Sequence, residues 1–158
     1  NEYTSECAST RRLLASVPMD KLSWRPHEKS MPLGNLAIHI ADLPNWVPIT
    51  LERSELDFAT EPYNPKKATT TEELLKIHDD ATAAALQSIQ NSSAEVLVKE
   101  NWTMRNGDKI YFTMPKIAVL RSSAFNHLYH HRGQLTVYLR LLDIPVPGMY
   151  GPTADFPM

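Results

Sequence analysis

One nonapeptide, Asn126-His127-Leu128-Tyr129-His130-His131-Arg132-Gly133-Gln134, holds three of the six histidines in this 158-residue chain. Neutral imidazole is a good donor to zinc, nickel, iron and copper, whereas calcium and magnesium prefer oxygen. In a helix His127 and His131 stand one turn apart, about 40° from each other around the axis, close enough to share an ion. His130 lies about 100° from His131 and is the poorest candidate of the three.

The element that must carry them is an apolar run over residues 117–142, read as one helix. Leu120, Ala124, His127, His131, Leu135, Tyr138 and Leu142 recur at spacings of three and four, which predicts a buried stripe. Both histidines take positions where leucine would be the default. An imidazole without partners in a core costs roughly 1–3 kcal/mol. A single such histidine is usually a hydrogen-bonded core residue; two in succession favour a metal.

A third candidate stands far upstream. A helix opening at Ser30 or Met31, with Pro32 in its first turn, has the stripe Leu33, Leu36, Ile40, Leu43 and Val47. His39 sits beside that stripe and, taken alone, fits a core histidine as well as a ligand. Asp42 or Asn35 is placed to orient its second ring nitrogen. Pro44 and Pro48 should bend or open the helix. Three imidazoles and no carboxylate would leave a coordination position open and the ion's full charge in place, an arrangement that favours incoming anions. No glutamate follows His127, so the general base of a zincin motif is missing.

The remaining segments read as scaffold. Residues 2–17 form a first helix ended by Pro18, and Cys7 is a small apolar packer on it. Residues 21–30 make a connection whose Trp24 lids the core. Residues 58–71 are a polar, proline-bearing loop. Thr70 and Glu73 form a capping box that opens a third helix running to about Gln90. His78 in that helix has no histidine or cysteine a turn away and reads as a surface or boundary residue. Trp102-Thr103-Met104 and Ile110-Tyr111-Phe112 flank Asn106-Gly107, the pattern of a small two-stranded hairpin without its own core. Thr113 and Pro115 open the last helix, and the proline-rich tail from Ile144 to Pro152 packs back on the helices.

These segments predict an all-α fold: a four-helix bundle, with the hairpin inserted before the last helix, forming a single domain over residues 1–158. The charge is nearly balanced, 16 basic against 18 acidic residues, which gives no case for nucleic acid or a membrane surface. One cysteine excludes disulfides within the chain and a cysteine-ligated zinc site. No run reaches the length of a membrane span, and the start lacks a signal pattern, so a cytoplasmic protein is expected.

Two segments resemble the signatures of the DinB family, in the DinB/YfiT-like superfamily: Gly34-Asn35-Leu36-Ala37-Ile38-His39-Ile40-Ala41 and Asn126 through Leu135. Leu139-Arg140-Leu141-Leu142-Asp143-Ile144-Pro145-Val146-Pro147 and Tyr150 through Asp155 are similar to it as well. The resemblance implies an up-down-down-up bundle, a divalent nickel or zinc ion on His39, His127 and His131, and frequent homodimers. It also implies S-transferase or isomerase chemistry with a low-molecular-weight thiol cosubstrate, or hydrolase chemistry assigned by analogy. The functional expectation is an enzyme in which one divalent transition metal (nickel or zinc, with iron possible) activates a thiol or water against a small-molecule substrate. Trp46, Tyr138 and Tyr150 are the candidate substrate-binding residues. Tyr138 and Arg132 are also candidates for proton transfer or anion binding, with core edge and surface ion pair as their plainer roles. The competing expectations are a non-catalytic metal- or ligand-binding stress protein and a helical interaction domain with core histidines.

Overall fold

A computed structural model describes residues 2–157. Helix α1, Glu2–Leu14, buries Tyr3, Cys7, Thr10, Leu13 and Leu14 at helical spacing and unwinds through a last turn to Pro18. Helix α2, Leu33–Asp42, carries His39. Its first two N–H groups, which no helix can satisfy internally, donate to the carbonyls of Trp24 and Leu22 at 2.8 and 2.9 Å. Gly34 permits that closeness, since a Cβ there would meet the Leu22 side chain at 3.0 Å. The connection that reads as unstructured in sequence is thus the N-terminal clamp of the His39 helix.

Pro44 has the expected effect. The chain tightens into a 3₁₀ turn over Leu43–Asn45 and restarts as α3, Trp46–Glu52, where Pro48 falls in the first turn and needs no donor. Helix α4, Thr71–Asn91, begins at the anticipated capping box: the Glu73 N–H donates to the Thr70 hydroxyl at 3.2 Å, and the Glu73 carboxylate accepts from the Thr70 N–H. A short helix α5, Ala94–Lys99, capped by Ser93, has no counterpart in the sequence reading.

The all-α four-helix bundle is corrected by a three-stranded mixed sheet. Strand β1, Glu55–Asp57, lies parallel to β2, Asn101–Asn106, which pairs antiparallel with β3, Lys109–Pro115. The hairpin loop is Gly107-Asp108, with Gly107 at φ +57° in the first loop position, where II′ turns take glycine. The Asp57 carboxylate accepts the N–H groups of Ala59 and Gly107, both at 2.9 Å, and so joins the end of β1 to the hairpin turn. The sheet also has a core of its own, contrary to expectation: Leu56, Trp102 and Val119 are buried together, and the Trp102 indole N–H donates to the Ile49 carbonyl on α3.

The last helix is not continuous either. It comprises α6, Lys116–Val119, a π-helical segment over Leu120–Asn126, and α7, His127–Leu141. A π turn holds more residues than an α turn, so the buried face advances. From Leu120 to Leu141 the buried residues are Leu120, Ala124, Leu128, Arg132, Leu135, Tyr138 and Leu139. The stripe keeps Leu120, Ala124, Leu135 and Tyr138 but runs one residue beyond the expected one at Leu128 and Arg132, which leaves His127 and His131 half-buried at its edge. The main core lies between α1, α2, α4 and α7, around Leu13, Leu14, Leu36, Ile40, Leu74 and Leu135. The tail does pack back: the Val146 N–H and the Arg140 guanidinium both donate to Asp155. Among the described residues no helix is long and apolar enough to cross a membrane.

Candidate metal centre

Helices α2 and α7 lie against each other, and their facing edges bring His39, His127 and His131 together. One ring nitrogen from each lies within 4.8 Å of the other two. The ring centroids are 4.9 Å apart for His39 and His127, and 4.6 Å for both His39–His131 and His127–His131. The Nε2 atoms of His39 and His127 are 3.2 Å apart. With metal–nitrogen bonds of about 2.0–2.1 Å, two ligands stand about 3.3 Å apart on a tetrahedral ion and about 3.0 Å on an octahedral one. The observed separation falls between these values. His130, 4.9 Å from His131, is exposed and outside the group.

The far side of each α7 imidazole fixes its tautomer. His127 Nδ1 lies 3.3 Å from the Ser123 carbonyl, which can only accept, so Nδ1 carries the proton and Nε2 the lone pair. The His127 backbone N–H goes to the Ala124 carbonyl and not to Ser123, its partner in a regular α-helix. His131 Nδ1 donates likewise to Gln134 Oε1 at 2.7 Å. Partners of this kind orient metal-binding histidines and raise their basicity. Asp42 has a different role from the one anticipated: its carboxylate is taken by the Asn45 amide at 2.8 Å and by Lys66 at 3.0 Å.

Protonation favours the ligand form. Burial, and then the nearness of His131 and His127, bring the His39 pKa down to about 4 from its ordinary 6.5. Burial is also the first cause of the lowered values of His127 and His131. All three rings are therefore neutral near pH 7, as metal binding requires. The donor set is all nitrogen, the orientation is supported from outside, and the residues fit one divalent transition ion.

The other sequence candidates lie elsewhere. Trp46 packs edge-on to Trp102 at 6.1 Å. Tyr138 is buried, donates to the Met31 carbonyl at 3.1 Å and packs against Trp24, which confirms that tryptophan as a core lid. Tyr150 donates to Glu6 at 3.0 Å. Arg132 is not a surface ion pair: 2 % exposed, it binds the Glu6 carboxylate at 2.6 Å and the Thr10 hydroxyl at 3.1 Å, pinning α7 to α1. His78 is not a surface residue: it is 1 % exposed and donates from Nε2 to the Cys7 carbonyl at 3.0 Å.

A cavity of about 860 Å³ reaches His39 and is walled by α2, the segment before it, and residues 63–69. None of Trp46, Tyr138 and Tyr150 lines it. The loop that does line it gave no sequence signal beyond polarity and proline.

Known proteins are similar to this chain in sequence and in fold. An uncharacterized Bacillus subtilis protein, YrdA, is 24% identical over 155 residues, covering 95% of this chain and 84% of that one. The crystal structure of the DinB-like protein YjoA from Bacillus subtilis superposes with a TM-score of 0.71 at 19% identity, over 93% of this chain and 94% of that one. A DinB-like protein from Bacillus cereus ATCC 10987 superposes with a TM-score of 0.67 at 24% identity, over 94% and 93%. The DinB family model matches residues 2–157, and the chain therefore belongs to the DinB family.

Proposed function

We propose that this chain is a divalent-metal-dependent enzyme that activates a nucleophile, a low-molecular-weight thiol or water, for S-transferase or hydrolase-type chemistry. The single observation that carries the reading is the convergence of three neutral imidazoles from two packed helices, with their outer nitrogens engaged on α7. His39, His127 and His131 would hold nickel or zinc, with iron as a third option, since three imidazoles select weakly among late divalent ions. Bound there, the ion would supply Lewis acidity that lowers the pKa of a coordinated thiol or water. Ser123 and Gln134 hold the α7 rings in the donating tautomer, and the cavity at His39 supports access for a small molecule.

The test is metal loading followed by turnover. The chelated protein is titrated with Ni²⁺ and Zn²⁺, dialysed and analysed for metal, then assayed with thiol plus electrophile and with ester substrates. One ion per chain is expected, together with turnover that the His127→Ala variant lacks. Protein that retains no metal would overturn the reading, and full loading without turnover of either class would make this a binding protein.

A further inference from the structure

The cavity at His39 carries information about its occupant. Its size, about 860 Å³, lies in the range that holds a drug-sized organic molecule. Its walls are mostly apolar: Leu22, Met31 and Ile38 on one side, Tyr63, Pro65 and Ala68 on the other. Two of these side chains are large, apolar and open to water, Tyr63 at 62% and Met31 at 39%. An occupant with an apolar body would cover both and remove that surface from solvent.

The charge on this wall has one sign. Lys66 and Lys67 both line the cavity and no carboxylate does. Lys66 is neutralised by Asp42 at 3.0 Å. Lys67 forms no ion pair among the described residues and puts an uncompensated cation on a mostly apolar wall. Lys67 is exposed, as an anion-receiving group at a cavity mouth must be.

We infer that this cavity binds a small amphiphilic anion, an alkyl or aryl carboxylate, with its apolar body between α2 and the 63–69 loop and its carboxylate at Lys67. This names a substrate class for the proposed enzyme and rests on that reading only for what happens at the His39 end. The fit to the walls does not depend on a metal.

The test is calorimetric titration of the chelated full-length chain with decanoate, butanoate, decyl alcohol and decylamine, with a separate Zn²⁺ titration. Each buried methylene is worth about fourfold in Kd, so decanoate should exceed butanoate by at least tenfold even if half its chain stays wet. An exposed ion pair is weak, so decanoate should exceed the alcohol by about two- to fivefold and the amine by more. Lys67→Glu should reverse the order of acid and amine. Asn35→Trp, which fills the cavity from an exposed position on α2, should weaken decanoate at least tenfold while the circular dichroism melt is kept. Equal binding of decanoate and butanoate, no preference for the acid over the amine, or unchanged binding in Asn35→Trp would each overturn the inference. Zinc uptake without decanoate binding would sink this inference alone, and decanoate binding without zinc uptake would sink the metal reading alone.

Discussion

His78, between α1 and α4, and the three histidines between α2 and α7 are all withdrawn from water, and burial lowers the pKa of each. A lowered pKa therefore does not separate them. The direction of the nitrogens does. His78 donates Nε2–H to one backbone carbonyl, its Nδ1 has no partner among the described residues, and it joins no group of potential ligands. In the triad the outer nitrogens of the α7 rings are engaged and the inner ones meet. This core histidine spends its N–H on the backbone and turns its other nitrogen toward no second ligand, whereas the ligand set brings its inner nitrogens to a common point.

The comparison breaks most sharply under substitution. His131→Ala should reduce metal affinity by well over a hundredfold, more than the loss of an outer partner, with little change in the melting temperature of the metal-free chain. His78→Ala should do the reverse. It removes a buried ring and its hydrogen bond to the Cys7 carbonyl, costing about 2–3 kcal/mol, or roughly 4–12 °C in Tm, with metal stoichiometry intact. Elemental analysis and thermal melts on both variants decide it. If His78→Ala sheds the ion and His131→Ala does not, the assignment of roles is inverted.

What the sequence shows of this division follows from how local each feature is. The His127–His131 pair is legible because four residues of helix fix its geometry. His39 joins it as a candidate from its place beside the apolar stripe of its own helix, and the family resemblance points to the same residue, but nothing local predicts which helices pack. His78 was legible and misread: it sits four residues after Leu74 and three before Ala81, on the buried stripe of α4, so its lack of a ligand partner argued against metal but not for the surface. Arg132 was misplaced for another reason. A stripe projected at a constant α-helical angle fails to register the π segment, which brings Leu128 and Arg132 into the core. Strand β1 was not legible, because three residues have no period of their own and are ordered by pairing with β2, far along the chain.

The triad should also show itself through acid. In the metal-free chain His39 titrates near 4 when folded and near 6.5 when unfolded. Between those values the unfolded state binds more protons, so stability is complete above 6.5, falls as the pH drops toward 4, and is not reduced further by this group below that. The part-exposed ring and its coupled neighbours hold the effect to about 2 kcal/mol. Denaturant melts across this window should slope for the native chain and flatten for His39→Leu. An unchanged slope in that variant would move the acid sensitivity to His78 and the other groups.

The smallest expected effect is the most diagnostic of design. Gln134 is exposed on α7 and its visible role is to accept the His131 Nδ1 proton. If it serves the ligand, Gln134→Ala should weaken metal binding by about 10–100-fold while leaving the fold intact. Thr136→Ala, which removes a hydroxyl bonded only to the Gly133 carbonyl on the same helix, supplies the control and should bind as tightly as the native chain. His127 admits no parallel substitution, since its partner is a backbone carbonyl within the π segment. The two α7 ligands are thus held by different means, one by a replaceable side chain and one by the shape of the helix. Competitive zinc titration of Gln134→Ala measures the first alone, and native affinity there would mean that packing against α2 orients His131 unaided.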